Sequence, residues 1–69
     1  MDNKDWDPVR ISNAEGVHES DGGALKVRVD GKDYWIPMKL IDDDSEVYEK
    51  GHKGDLVIPT WLAVMKGLA

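Results

Sequence analysis

The most concentrated chemistry in the chain is acidic. Asp42, Asp43, Asp44 and Glu46 fall in one short segment, with Tyr48 just beyond it. Such a cluster suits either a hard cation or a basic protein surface. A calcium loop of the EF-hand type needs D-x-[DN]-x-[DN]-G and a glutamate at the twelfth position. Counted from Asp42, the sixth position is Val47, where glycine is required. A metal role is therefore not expected. Two readings stay open: a solvated loop, or a negative patch that docks on a basic cleft.

Histidine and glycine patterns add little. His18 and His52 are the only histidines, and there is no cysteine. A closed zinc site would need two further ligands from carboxylates, at no recognised spacing. No serine, histidine and acid can be assembled as nucleophile, base and orienting group. The expectation is a protein with no catalytic residues, no metal and no cofactor, hence not an enzyme. Gly51-His52-Lys53-Gly54 matches the GxxG clamp that KH domains close on a nucleic-acid backbone. That clamp joins two helices, whereas strand-like sequence flanks it here, so a tight turn is expected instead. No phosphate-cradling glycine motif is present.

The tryptophans are the other chemical feature: three in 69 residues, with no phenylalanine. Trp61 reads as packing. Trp35 stands among Lys26, Arg28 and Lys32, an arrangement that suits base stacking in single-stranded nucleic acid or a protein hot spot. Its packing alternative, burial under the N-terminal segment or the C-terminal helix, is the favoured expectation.

These residues must be positioned by mostly β structure. Ala24–Pro37 contains two β-rich runs around Asp30-Gly31, a dipeptide suited to a type I′ turn. Closing on that turn pairs Val29 with Lys32, Arg28 with Asp33, Val27 with Tyr34, Lys26 with Trp35 and Leu25 with Ile36. One face then carries Leu25, Val27, Val29, Tyr34 and Ile36; Arg28, Asp33, Lys26 and Trp35 share the other. A first strand from Val9 runs loosely to Glu19, bent at Gly16. Met38–Ile41 reads as either a helical turn or extended chain, and Glu46–Glu49 as a brief strand. Asp55–Pro59 forms a buried strand. Thr60 is the expected N-cap of a helix over Trp61–Lys66 with Gly67 at its C′ position, and Trp61, Val64, Met65 and Leu68 form its apolar stripe. The fold expected is mainly β: a small curled sheet or open barrel, SH3-like or OB-like, of four to five strands with a short C-terminal helix. Residues 1–8 read as a flexible tail, and 9–69 as a single small domain.

Composition narrows the setting. The net charge of −5 argues against simple electrostatic attachment to nucleic acid or anionic membrane. No apolar run has the length of a membrane-spanning helix, and the N-terminal residues lack the apolar stretch of a signal peptide. With the absence of cysteine, these features suggest a cytoplasmic protein.

Beyond this general reading, Tyr34-Trp35-Ile36-Pro37, Ile41, Asp43-Asp44-Ser45-Glu46-Val47-Tyr48, Gly51-x-x-Gly54-x-Leu56-Val57-Ile58 and Trp61-Leu62-Ala63…Lys66-Gly67-Leu68 form an ordered pattern. Over about residues 24–68 it resembles short bacteriophage and prophage proteins that share a WIP hairpin and a terminal WLAxxKGL-like helix. Met38-Lys39 departs from the Lys-Ser of that pattern. The resemblance carries no enzymatic motif. It implies a bacterial host cytoplasm and a role as a nucleic-acid accessory protein or an inhibitor of host defence, including CRISPR effectors.

The leading expectation is a non-enzymatic protein-binding module, an inhibitor of a host antiviral nuclease of the CRISPR type. It would act through Asp42, Asp43, Asp44 and Glu46, with Tyr48 and Trp35 as anchors, on a nucleic-acid-processing complex. The alternative is a single-stranded nucleic-acid-binding accessory domain using Lys26, Arg28, Lys32 and Trp35. A homodimer through the hairpin edge is a further expectation, since a core this small gains from added buried area.

Overall fold

A computed structural model of the chain describes residues 4–68. Four antiparallel strands form an open sheet: β1 (Pro8–Glu19), β2 (Ala24–Val29), β3 (Lys32–Pro37) and β4 (Lys53–Pro59), in the order β3-β2-β1-β4. The edge strands β3 and β4 do not pair with each other, so the sheet is not a closed barrel. One α-helix among the described residues, α1 (Thr60–Met65), follows β4.

The hairpin has the register its turn demands. Asp30 and Gly31 take φ of 53° and 81°, and Lys26 pairs with Trp35, Val27 with Tyr34 and Leu25 with Ile36. A type I′ turn needs left-handed backbone at both central residues, which Asp and Gly tolerate best. Alternation then sends Leu25, Val27, Val29 and Ile36 to the inner face, where all are buried.

β1 serves both halves of the sheet. Its residues 14–19 pair with β2 and its residues 8–15 with β4, and the register slips once in each ladder. One slip, between Gly16 and His18, makes the bend expected at Gly16. The other lies between Ile11 and Ala14, where Asn13 has φ of 59°. Asparagine is among the few side chains that adopt this conformation readily. Gly16 has a second role: its N–H donates to the His52 carbonyl and its carbonyl accepts from Gly51, each at 2.9 Å. A Cβ there would run into the Glu49 carbonyl.

Two covers close the inner face. Segment 38–48 begins as a 3-10 turn (Met38–Leu40) and lays Val47 on the core. α1 supplies Leu62 and Ala63. The helix differs from expectation in two respects. Thr60 lies inside it rather than capping it, and its N–H and hydroxyl both donate to the Asp7 carbonyl, at 2.9 and 2.8 Å. Val64 and Met65 are exposed rather than part of a buried stripe. The C-terminal turn explains the rotation. Gly67, with φ of 77°, donates to Val64, and Leu68 donates to the Ala63 carbonyl at 2.7 Å. This double bond pattern folds Leu68 back onto the core and turns Leu62 and Ala63 inward. Less than two turns long, α1 takes its orientation from these end contacts.

Lys4–Trp6 form a 3-10 turn, Trp6 meets Trp61 edge-on with ring centroids 5.5 Å apart, and Pro8 already belongs to β1. Residues 1–3 of the expected tail lie outside the described residues.

Gly16→Ala should destabilise the domain by roughly 1–3 kcal/mol, the usual range for overpacking. Gly22→Ala, where a Cβ meets only the Ser20 hydroxyl in ordinary contact, should be far milder. Urea unfolding of the two variants checks this contrast.

Candidate functional site

The acidic segment is no free loop. It runs along the outer edge of β4 and satisfies backbone groups that the edge would otherwise leave open. Asp42 N–H donates to the Val57 carbonyl at 2.8 Å, and Glu46 N–H to the Asp55 carbonyl at 2.8 Å. Glu46–Glu49 form no strand, because irregular bonds and a side chain replace a regular ladder here. That side chain is Ser45, buried at 5% exposure. Its hydroxyl accepts from Val47 N–H and Val57 N–H, both at 3.2 Å, and donates to the Val47 carbonyl at 2.8 Å. One donor and two acceptor positions exhaust what a hydroxyl can do.

This scaffold sorts the acidic side chains. Glu46 turns back to accept from Asp55 N–H at 2.9 Å. Asp42 accepts from Asp44 N–H at 2.9 Å, a local turn that holds its carboxylate in place. Asp42 and Asp43 then line a depression of about 420 Å³ with Met38, Ile41 and Tyr48. Tyr48 is 52% exposed and packs edge-on against His52, with centroids 4.4 Å apart. Asp44 is exposed but does not line the depression. Of the expected protein-binding residues, the structure therefore joins Asp42, Asp43 and Tyr48. Met38 and Ile41, the apolar floor, were not singled out from sequence; their signal was their place beside the acidic run.

Trp35 lies elsewhere, on the outer face of β3, and is 41% exposed. Among the described residues, neither the N-terminal segment nor α1 covers it, contrary to the favoured expectation. Lys26 Nζ sits 5.3 Å from the centre of its ring, and His18 meets it edge-on at 6.1 Å. This cation–π row crosses three strands, since His18 pairs with Lys26 and Lys26 with Trp35. The neighbouring row reads Lys53, Glu15, Arg28, Asp33 across all four strands, with alternating charges. Arg28 donates to both Asp33 oxygens, at 2.8 and 3.2 Å. These hydrogen bonds hold the Asp33 carboxyl below its ordinary range and push the Arg28 guanidinium upward. Lys32 pairs with Val29, so it falls on the opposite face from Trp35. The basic set Lys26, Arg28, Lys32 and Trp35 is thus divided: Arg28 is neutralised and Lys32 is displaced.

Among the described residues, no three His, Asp or Glu side chains converge to hold a metal ion. No described helix is long and apolar enough to cross a membrane. Comparison with protein-family models, with curated proteins and with solved structures finds no match.

Two outcomes test this geometry. Ser45→Ala leaves the Val57 N–H without its partner and should cost about 1–3 kcal/mol, roughly 5–20 °C in Tm for a domain of this size. Asp43→Asn should leave Tm unchanged. For Asp33, a depressed folded-state pKa means that its stabilisation is present above the unfolded value of about 3.9 and fades as pH falls through the folded value. Thermal midpoints of the wild type and Asp33→Asn should differ near neutral pH, with the wild type higher, and converge as pH falls through the depressed folded-state value.

Proposed function

We propose that the protein is a non-enzymatic binding module whose depression at Asp42, Asp43 and Tyr48 receives a lysine or arginine side chain from a basic protein surface. One observation carries this reading: two carboxylates and three apolar side chains converge on a single concave site. A long cationic side chain needs both, carboxylates for its charged head and apolar wall for its stem. The net charge of −5 adds steering toward a basic partner. Proteins that handle nucleic acid carry such basic clefts. The resemblance to phage proteins supports a host nucleic-acid-processing complex, including a CRISPR-type nuclease, as the partner whose channel the module occupies.

The single-strand-binding alternative has weaker support. Trp35 is exposed, but Lys26 and His18 flank its ring, the adjacent charge row alternates in sign and Lys32 faces away. Electrostatic attraction for a phosphate backbone is correspondingly small.

A pull-down from bacterial lysate, with and without nuclease, tests the proposal. The wild type should retain a basic protein after nuclease treatment. Asp42→Asn with Asp43→Asn should lose it, while keeping the Asp42 side-chain acceptor that the local turn needs. Association should slow several-fold and lose most of its salt dependence. Retention of the same partner by the double variant, at unchanged salt sensitivity, would rule the reading out. A partner lost on nuclease treatment would point to the Trp35 face instead.

A further inference from the structure

The two edges of the sheet are treated differently. The outer edge of β4 is covered by the acidic segment and the Ser45 hydroxyl. Among the described residues, β3 has no such cover: no backbone group of Asp33 or Trp35 finds a partner outside the sheet.

The turn decides which groups are left over. In the two-residue turn, the Val29 carbonyl and Lys32 N–H face each other. Alternation then directs the backbone groups of Lys32, Tyr34 and Ile36 toward β2, and those of Asp33, Trp35 and Pro37 outward. Pro37 fits this parity, because a proline in a strand is tolerated where its missing N–H would face away from the ladder. The usual protections of an edge are an interrupting proline, a bulge, a lysine or a covering loop. β3 carries Lys32 at its start and Pro37 at its end, and its centre is unprotected.

We propose that β3 pairs antiparallel with β3 of a second copy of this chain, centred on Trp35, to make one continuous sheet across both. A two-fold axis normal to the sheet keeps each outer face outward, so paired residues must share parity. Centred on Trp35, this residue exchanges both backbone bonds with its counterpart, and each Asp33 N–H meets a Pro37 carbonyl. The side chains agree with that register. Trp35 stacks beside its counterpart on the outer face, and Tyr34 opposes Ile36 on the inner face, extending the apolar layer. Centring on Tyr34 instead sets Asp33 against Trp35 and Lys32 against Ile36, an inferior match. Charge points to the same edge. Net −5 chains repel, but β3 carries one Lys and one Asp, and Arg28 already pairs with Asp33. The inference stands apart from the proposed partner site, whose residues lie off this edge.

Sedimentation velocity from micromolar to near-millimolar protein is the test, with amide hydrogen exchange beside it. The wild type should pass from 7.7 kDa to twice that mass. Protection of the Trp35 amide should rise with concentration over the same range. Trp35→Pro removes an N–H that points away from β2, so it should fold and stay monomeric. Tyr34→Pro removes one that points toward β2, and should unfold the hairpin. If Trp35→Pro fails to fold, exchange at Trp35 in the wild type decides alone. A wild type that stays at 7.7 kDa throughout overturns the proposal. So does a folded Trp35→Pro that still dimerises, or a Trp35 amide unprotected in the dimer.

Discussion

β1 is the one strand that both halves of the sheet require, and the demand on it is uneven. Its C-terminal half pairs with β2 and its N-terminal half with β4; only Ala14 and Glu15 have partners in both ladders. A sheet joined across so short an overlap is splayed, and the strand must twist to serve both neighbours. The two register slips do this, one at each end of the overlap, and each uses a residue suited to it. Asn13 accepts a left-handed conformation, and Gly16 lets the turn at 49–52 approach the backbone. Without these accommodations β4 would not present Leu56 and Ile58 to the same core as Leu25 and Val27.

A splayed sheet in a chain of 69 residues leaves a broad apolar face and few elements to cover it. The segment between β3 and β4 meets that need. It crosses the inner face, buries Val47, and finishes along the β4 edge with Ser45 as the hydrogen-bonding centre. Its hydrogen bonds point inward, and its charges are left outward. Asp42 does both, since its backbone N–H and one carboxylate oxygen are engaged internally while the side chain lines the depression with Asp43 and Tyr48. The candidate site is thus a product of how the core is closed: the Asp42 N–H is tied to the Val57 carbonyl of β4, and the Met38 N–H to the Gly23 carbonyl beside the end of β3.

Much of this is legible in the sequence where local rules dominate. Asp30-Gly31 sets a register that the ladder reproduces pair by pair, because turn chirality and alternation are short-range constraints. Gly67 ends the helix as its type suggests, for the same reason. What escapes local rules is where tertiary contacts compete. The heptad-like spacing of Trp61, Val64, Met65 and Leu68 describes an isolated helix, but α1 is oriented by the fold-back of Leu68 and by the Asp7 carbonyl. Ser45 gives no warning at all in sequence. A serine within an acidic run looks solvated, and only the exposed strand edge at Val57, twelve residues later, makes its hydroxyl necessary. The exposure of Trp35 is of the same kind, since it depends on where Lys4–Trp6 and α1 are placed.

Binding of a cationic side chain at Asp42, Asp43 and Tyr48 is the claim on which the functional account rests. Its most direct measurement is an NMR titration of the labelled protein with a short arginine-rich peptide at low salt. Amide shifts concentrated at Met38, Ile41–Asp43 and Tyr48, and fading as salt is raised, are the predicted result. Shifts absent from that depression, or spread evenly over every acidic residue of the surface, would contradict it.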